Sequence, residues 1–283
     1  MPNISETLKN AALILQRSGI AEPRREAGSL LAFSLRKDRT FLITRGDYEL
    51  SPEEEADFEK ILRRRASREP LQYITGRQEF YGLDFVVTPD VLIPRPETEL
   101  LVEKAIEILR KQEENARFCE IGTGSGCLSI SILHNVRAAS AIGLDVSPKA
   151  LKITALNAER HGVSDRLNLK ISDVFSSLAD EKFALIASNP PYIPRADIAN
   201  LQREVRDFEP LGALTDEADG LSIIEKIVRG APRYLVPGGF LLLEIGFGQS
   251  RAVKNLFDEK IWRAVEALPD LQNIPRTVRA QVI

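Results

Sequence analysis

Apolar residues in the first quarter of the chain recur with the spacing of amphipathic helices. A first stripe follows the i, i+3, i+4, i+7 pattern and consists of Leu8, Ala11, Ala12 and Leu15. We expect Ser5 to cap this helix, Gly19 to end it and Pro23 to begin the next one. The run SPEE at 51–54 combines a cap, a proline at the first helical position and a glutamate for a capping box. Residues 1–72 are therefore predicted to form a small helical domain.

The pattern changes between residues 73 and 95, where aromatic and β-branched residues predominate. Gly76, Gly82 and the sequence TPD at 88–90 interrupt this stretch as turns. Turns within a strand-like composition predict a β-hairpin, which would link the helical domain to the rest of the chain. A helix is expected to follow Pro96.

From residue 117 onwards, short apolar runs alternate with segments of helical periodicity. Five runs predict strands, at 117–121, 140–145, 166–171, 183–188 and 240–245. Because their apolar residues are nearly continuous, we expect a mostly parallel sheet covered by helices on both faces. Two further strands, 262–268 and 277–283, are joined by a link too short for a helical crossover and should be antiparallel. Residues 96–283 are thus predicted to form an α/β domain with a seven-stranded sheet and an antiparallel hairpin at its edge.

The composition excludes some classes of protein but does not indicate a particular reaction. The 283 residues include 38 Lys and Arg against 41 Asp and Glu, which gives a net charge of −3. With 43% apolar residues the chain is predicted to be globular, and its charge argues against a protein that coats nucleic acid. Up to Pro70 the chain has 13 Lys and Arg against 12 Asp and Glu, so we expect a solvated helix face rather than a nucleic-acid footprint at Arg63, Arg64, Arg65 and Arg68. A basic contact patch for a partner is the alternative.

Cysteine and histidine are too few and too scattered for a disulfide framework or a metal site. Cys119, Cys127, His134 and His161 are their only occurrences, and none has the spacing of zinc ligands. We therefore expect free thiols and no metal. The N-terminal sequence lacks the features of a secretion signal, and no apolar run approaches the length of a membrane span. A soluble, cytoplasmic protein with no membrane partner is predicted.

A glycine-rich turn follows the first predicted strand of the sheet and precedes a helix. Its sequence, EIGTGSG at 120–126, places Gly122, Gly124 and Gly126 where backbone N–H groups meet the start of that helix. Nineteen residues beyond the turn, Asp145 ends the second strand, where a carboxylate can accept hydrogen bonds from ribose hydroxyls. Together they indicate a nucleoside-bearing cofactor. Glycines that only make a tight turn are the alternative.

The spacing of the glycines separates the candidate cofactors. Cys127 occupies the sixth position, where the dinucleotide fingerprint needs glycine or alanine, and the turn has no lysine for a P-loop. The GxGxG spacing resembles motif I of the class I S-adenosylmethionine-dependent methyltransferases. After the third strand, Asp173 is expected to accept a hydrogen bond from the adenine amino group and Val174 to pack on the ring. An ordinary aspartate turn is the alternative for Asp173.

The tetrapeptide NPPY at 189–192 ends the fourth strand, at the edge where ligands bind open α/β sheets. Its two prolines fix the backbone and have no N–H. The side-chain oxygen of Asn189 and the carbonyl of Pro190 can each accept one N–H of an –NH2 group, and Tyr192 can form a wall against its plane. The tetrapeptide resembles the (D/N/S)PP(Y/F/W) motif of methyltransferases that act on planar –NH2 nitrogens of glutamine, adenine or cytosine.

Four segments together resemble one family in particular. They are Gln72-x3-Gly76-x3-Phe80-x-Gly82, IPRPETE at 93–99, EIGTGSG and NPPYI. The combination is similar to the HemK family, the N5-glutamine methyltransferases of peptide chain release factors, over nearly the whole chain. The resemblance implies methyl transfer from S-adenosyl-L-methionine to the glutamine of the Gly-Gly-Gln motif in class 1 release factors, with S-adenosyl-L-homocysteine as product. It also implies a substrate-docking domain at 1–72, a hairpin linker at 73–95 and a Rossmann-like methyltransferase domain at 96–283.

The same resemblance implies a set of site residues. Those expected to contact the cofactor are Gly122, Thr123, Gly124, Ser125, Gly126, Asp145, Asp173, Val174 and Asn189. Those expected to hold the glutamine amide are Asn189, Pro190, Pro191 and Tyr192. Of these four residues, all except Pro191 are also expected to be catalytic. Phe80, Arg95 and Glu97 are expected near the substrate pocket, an ordinary ion pair at the domain junction being the alternative for Arg95 and Glu97. Val174 departs from the family, because many members have tryptophan there.

Three other functions share part of this pattern. A DNA adenine-N6 methyltransferase would also have NPPY and the cofactor fold, but the acidic charge balance and the lack of a basic recognition segment argue against it. Cys127 disfavours a NAD-dependent oxidoreductase. The intact NPPY disfavours a binding module that has lost catalysis. We therefore expect a protein substrate and no stable nucleic-acid partner.

Overall fold

The computed structural model describes residues 1–112 and 116–283, and the chain divides into two compact units. The first unit comprises Met1–Arg77 together with Gln202–Phe208, and the second comprises Gln78–Leu201 and Glu209–Ile283. The sequence analysis assigned residues 202–208 to the α/β domain, whereas in the structure they pack with the N-terminal helices.

The first unit is built from helices, as the apolar stripes predict. They are α1 (Ile4–Arg17), α2 (Pro23–Leu35), α3 (Arg39–Thr44), α4 (Pro52–Ala66), α5 (Leu71–Thr75) and, from the second segment, α9 (Arg203–Phe208). The predicted capping box of α4 is confirmed, because Ser51 Oγ accepts from Glu54 N at 3.2 Å and Glu54 Oε2 accepts from Ser51 N at 2.9 Å. Helix α1 is capped by Asn3, and Ser5 instead donates its hydroxyl to the Gly46 carbonyl.

A charged cluster connects the returning segment to α4 within the first unit. Arg65 is only 5% exposed and is paired with Glu26 and with Glu204, whose Oε1 lies 3.1 Å from Arg65 Nη2. Arg68 binds the other carboxylate oxygen of Glu204 at 2.7 Å. The prediction that the arginines of 63–68 form a solvated face is therefore wrong for Arg65, because long-range partners that a linear sequence does not reveal compensate its burial.

The second unit contains the seven-stranded sheet. A hairpin of β1 (Arg77–Phe80) and β2 (Leu83–Val86) comes first in the chain. The sheet strands are β3 (Arg117–Ile121), β4 (Ser140–Asp145), β5 (Leu167–Ile171), β6 (Phe183–Ser188), β7 (Leu235–Glu244), β8 (Trp262–Pro269) and β9 (Pro275–Val282). Their order is β5-β4-β3-β6-β7-β9-β8. The first five strands are parallel and β9 is antiparallel to both β7 and β8, which confirms the predicted fold class.

Helices cover the sheet of the second unit. They are α6 (Glu99–Leu109), α7 (Cys127–Asn135), α8 (Pro148–Arg160), α10 (Leu211–Leu214), α11 (Ser222–Gly230) and α12 (Ser250–Lys254). Successive residues of the central strands enter two different apolar clusters. On β3, Phe118 belongs to one cluster and Cys119 to the other, and on β6 the same holds for Leu185 and Ile186. Because both faces of these strands are buried, consecutive positions along them are mostly apolar.

The parallel register brings three strand ends to the same edge of the sheet. Ile121, the last residue of β3, is opposite Leu144 of β4 on one side and Ser188 of β6 on the other. The glycine turn follows β3, Asp145 is the last residue of β4 and NPPY follows β6, so the sheet gathers them at its carboxyl edge. Within the described ranges, none of the helices combines the length and hydrophobicity that a membrane span requires.

A buried asparagine of α8 connects the hairpin to the glycine turn. Asn157 Oδ1 accepts from Val86 N at 2.8 Å, and Asn157 Nδ2 donates to the carbonyls of Val86 (3.0 Å) and Ser125 (2.9 Å). The Asn157 side chain is fully buried, so water cannot replace it as the hydrogen-bond partner of these three backbone groups.

We predict that Asn157→Leu lowers the free energy of unfolding by about 2–4 kcal/mol, because it leaves backbone groups of Val86 and Ser125 buried without partners. Asn168→Leu, at an exposed position of β5, is the control and should change the unfolding free energy by less than about 0.5 kcal/mol. Denaturant titration measures both values. Equal effects of the two substitutions would show that the Asn157 bonds do not stabilise the fold.

Candidate active site

The turn after β3 needs its glycines for conformation as well as for space. Gly122, Gly124 and Gly126 have φ values of 74°, 57° and 82°, in the left-handed region. A Cβ on Gly126 would come within 2.7 Å of Thr154 Cγ2, so close packing excludes a side chain there. A Cβ on Gly124 would meet no atom within 4 Å. The turn therefore leaves open space at Gly124.

Hydrogen bonds hold the glycine turn to the end of β4. The Leu144 carbonyl accepts from Gly122 N at 2.8 Å and from Thr123 N at 3.1 Å. Asp145 accepts from Gly124 N through Oδ2 and from Ser147 N through Oδ1, both at 2.8 Å. Burial raises the pKa of Asp145 above its ordinary value, against the effect of these backbone donors. Each carboxylate oxygen keeps a second acceptor site, which is available to a ligand.

The NPPY segment is held from three sides within the second unit. Asn189 Nδ2 donates to Thr98 Oγ1 at 3.1 Å, and the Tyr192 hydroxyl donates to Glu244 Oε1 at 3.1 Å. The Tyr192 carbonyl accepts from Gln249 Nε2 at 2.9 Å. Burial, followed by the nearby charge of Glu244, raises the pKa of Tyr192 well above its usual range. The phenol therefore stays protonated at neutral pH.

Glu244 is a buried carboxylate at the centre of these contacts. Its Oε2 accepts the Thr98 hydroxyl at 2.6 Å and its side chain is almost wholly enclosed. Burial raises the pKa of Glu244 to about 7, although both hydrogen bonds favour its ionised form. Sequence reasoning missed Glu244 and Thr98 as site residues. The available signal was a glutamate inside an otherwise apolar strand, FLLLEI at 240–245.

The strand ends surround a cavity of about 500 Å³ in the second unit. The predicted site residues that line it are Gly122, Thr123, Gly124, Ser125, Asp145, Asp173, Val174, Asn189, Pro190, Pro191 and Arg95. A cavity of this volume falls in the range of small-molecule sites. Val174 has φ 51°, which is unusual for a β-branched residue, and its carbonyl accepts from Ser172 Oγ at 2.9 Å.

Four predicted site residues lie elsewhere in the second unit. Phe80 is 2% exposed and packs in the apolar core, where its ring centroid lies 6.2 Å from that of Phe85. Glu97 is exposed on the short turn before α6. Gly126 and Tyr192 adjoin lining residues without lining the cavity themselves. The structure thus brings the predicted cofactor residues other than Gly126 together at the cavity and leaves Phe80, Glu97, Gly126 and Tyr192 outside its lining.

An ion pair near the cavity involves a residue that the sequence analysis did not single out. Arg95 pairs with Glu209, whose Oε2 also accepts from Ile93 N at 3.4 Å. Glu209 is buried, and this burial raises its pKa. Arg95 therefore pairs with Glu209 within the second unit. The cavity wall continues after this glutamate with Pro210, Gly212, Ala213, Thr215, Asp216 and Glu217, none of which belongs to a recognisable motif.

Two other ionisable groups face the cavity. Burial raises the pKa of Glu120 to about 8, and its Oε2 accepts from Ser129 N at 3.1 Å. Burial also raises the pKa of the Cys127 thiol to about 12, so this free cysteine is neutral at physiological pH. In the part of the chain that the structure describes, no three His, Cys, Asp or Glu side chains are grouped as metal ligands.

Comparison with known proteins places these features in a family. The PrmC N-terminal domain family matches residues 6–76, and the Methyltransferase small domain family matches residues 97–204. A release factor glutamine methyltransferase of Geobacter sulfurreducens is 44% identical over 95% of this chain and 93% of its own length. The chain belongs to the release factor glutamine methyltransferase family.

Other members and a solved structure extend the comparison. The family member from Koribacter versatilis is 37% identical over 97% of both chains. A methyltransferase structure from Pyrococcus furiosus matches 71% of this chain and 90% of its own with a TM-score of 0.53 and 16% identity, so it shows the fold alone. Membership in the release factor glutamine methyltransferase family confirms the resemblance found in the sequence.

We predict that Gly220→Ala disturbs the NPPY segment. A Cβ on Gly220 would lie 2.2 Å from the Tyr192 carbonyl oxygen, and the residue has φ 80°. Gly248→Ala is the matched control, because Gly248 has the same φ and open space around its Cβ position. Gly220→Ala should cost at least about 2 kcal/mol more of unfolding free energy than Gly248→Ala, measured by denaturant titration. Equal costs would contradict the contact.

We predict that wild type loses stability relative to Glu244→Gln as the pH rises from about 4.5 to about 7. Below this window the carboxyl is protonated in both the folded and the unfolded state. Above it the carboxyl is ionised in both states, and the folded state bears the full cost of a buried charge, about 3 kcal/mol at most. Denaturant titrations at several pH values measure the difference. A difference that does not vary with pH would contradict the raised pKa of Glu244.

Proposed function

We propose that the protein transfers a methyl group from S-adenosyl-L-methionine to the side-chain amide nitrogen (N5) of the glutamine in the Gly-Gly-Gln motif of class 1 peptide chain release factors. Loss of the methyl group converts the cofactor into S-adenosyl-L-homocysteine. The observation that carries the proposal is that Asn189 and Pro190 line the same cavity as the glycine turn, in a chain of the release factor glutamine methyltransferase family.

The cavity residues fit the proposed cofactor. Asp145 keeps acceptor sites for ribose hydroxyls, and the turn at Gly124 leaves open space beside it. Val146 is 69% exposed and, with Val174, offers apolar surface for a purine ring. Asp173 is on the same wall, with a side chain that can accept from an amino group. These residues would hold the cofactor, with acceptors and apolar surface in one cavity.

When bound, S-adenosyl-L-methionine supplies an electrophilic methyl group on a sulfonium. The task of the chain is to present an amide nitrogen, a poor nucleophile because its lone pair is delocalised. The Asn189 side-chain oxygen and the Pro190 carbonyl oxygen are both acceptors at the cavity wall, and no group in residues 1–112 or 116–283 donates to either. They can each accept one N–H of the substrate amide, which orients the nitrogen and offsets the positive charge that develops on it.

Tyr192 contributes by fixing the segment rather than by acid–base chemistry. Its hydroxyl is bound to Glu244 and its carbonyl to Gln249, and it does not line the cavity. Its raised pKa makes it unable to serve as a base at neutral pH. Proton removal can follow methyl transfer, because the positively charged N-methylated amide that forms first is a strong acid and can release its proton to water.

The N-terminal helical unit is proposed to dock the release factor. Its supporting observation is the match of residues 6–76 to the PrmC N-terminal domain family. Cytoplasmic localisation, where release factors work, stays a prediction. The roles of Arg95 and Glu97 toward the substrate also stay predictions. Of the two, Arg95 lines the cavity.

The test is transfer of labelled methyl to a purified class 1 release factor. Wild type should label the release factor and should not label a variant with Gln→Ala in the Gly-Gly-Gln motif. Asn189→Ala should lower kcat by about 100- to 1000-fold, because one acceptor for the amide is lost. Its cofactor Kd should rise by less than about tenfold. Equal labelling of both release factors would contradict the proposed substrate, and near-normal turnover of Asn189→Ala would contradict the role of Asn189.

A further inference from the structure

The direction of the hydrogen bonds around Thr98 is determined by the number of protons. A threonine hydroxyl has one proton to donate. Thr98 Oγ1 lies 2.6 Å from Glu244 Oε2 and 3.1 Å from Asn189 Nδ2. Above about pH 7 Glu244 is ionised, and an ionised carboxylate only accepts, so the Thr98 proton then points to Glu244. Toward Asn189, Thr98 can then act only as an acceptor.

This direction fixes the orientation of the Asn189 amide. The group that faces Thr98 must be the donor, which is the NH2 of Asn189. The two ends of a planar amide point apart, so Oδ1 is turned away from Thr98. Asn189 lines the cavity, and no described residue donates to its Oδ1. The acceptor end of Asn189 is thereby kept for a ligand.

We infer that Thr98 and Glu244 are positioning residues, which act through Asn189 to select an acceptor substrate that carries two N–H donors. This inference rests on the proposed function and adds the means by which the site recognises an –NH2 group. Were the Asn189 amide turned round, its NH2 would face the substrate nitrogen and repel its N–H groups. Because Glu244 also holds the Tyr192 hydroxyl, one carboxylate fixes both ends of the NPPY segment.

The burial of Thr98 and Glu244 stabilises the orientation of the Asn189 amide against rotation. Thr98 is 2% exposed and Glu244 is 1% exposed. Water therefore cannot replace either partner, and reversing the Asn189 amide would place its oxygen against the Thr98 oxygen with no proton between them.

The first experiment compares Thr98→Val with Thr98→Ser in the full-length enzyme at about pH 8.5, where Glu244 is ionised. Valine has the shape of threonine without the hydroxyl, and serine keeps the hydroxyl. Thr98→Val should lower kcat by at least about tenfold, while Thr98→Ser stays within about threefold of wild type. Cofactor Kd should change by less than about threefold in both variants.

Thr277→Val is the matched control. Thr277 is fully buried on β9, directly opposite Glu244 in the strand register, and its hydroxyl has no partner among the described residues. The same loss of a hydroxyl there should leave kcat unchanged. Equal kcat values for Thr98→Val and Thr98→Ser would overturn the inference.

The second experiment reverses the chain of hydrogen bonds. In Glu244→Gln, the new amide can donate to Thr98, which then donates to residue 189. In Asn189→Asp, residue 189 has only acceptors. Combined, the two changes restore a consistent direction, because Thr98 donates to one oxygen of the aspartate and the other oxygen remains for the substrate.

Each single substitution should lower kcat by at least about tenfold. The double variant should have a kcat at least about tenfold higher than the value expected if the two losses simply multiplied. Losses that simply multiply would overturn the inference. The wild-type assay keeps the two proposals separate. Absence of methyl transfer to any release factor contradicts the proposed function, whereas normal transfer with multiplicative losses contradicts only the positioning role of Thr98 and Glu244.

Discussion

The register between β3 and β4 is the constraint on which the site depends. Because Ile121 is opposite Leu144, the turn after β3 meets the Leu144 carbonyl, which binds the N–H groups of Gly122 and Thr123. The next residue of β4, Asp145, then reaches Gly124. A shift of one residue would turn every side chain of β4 to the other face and separate these groups. The glycine turn is thus a product of sheet pairing as much as of its own sequence.

Two buried glutamates near the cavity reduce the stability of the fold. Glu120 lines the cavity and Glu244 binds Thr98, which also lines it; both glutamates are buried, and burial raises the pKa of both. Carboxylates in such places reduce stability unless donors surround them. Glu244 has two, Thr98 and Tyr192, which belong to segments far apart in the chain. Burial of these carboxylates therefore costs stability at the site, a cost that is common at functional sites.

The sequence predicted those features that are encoded by residues close together in the chain, and it did not predict contacts between distant residues. Strands β3, β4 and β6 were predicted to the residue, because each is a short and nearly continuous apolar run in the sequence. β7 begins at Leu235, earlier than the predicted residue 240, because the strand continues through Pro237, Gly238 and Gly239, which are residue types that favour turns. Motif residues such as Gly122 and Asn189 were found for the same local reason. Thr98 was missed as a site residue because its partner Glu244 is 146 positions away.

The return of residues 202–208 to the N-terminal helices has a consequence for biosynthesis. Arg65 and Arg68 are placed early in the chain, yet their shared partner Glu204 is made more than a hundred residues later. When the first 77 residues leave the ribosome, the helical unit still has a buried arginine with one of its two carboxylates missing. The helical unit therefore gains its full set of partners for Arg65 and Arg68 only after the strands from β3 to β6 have been synthesised.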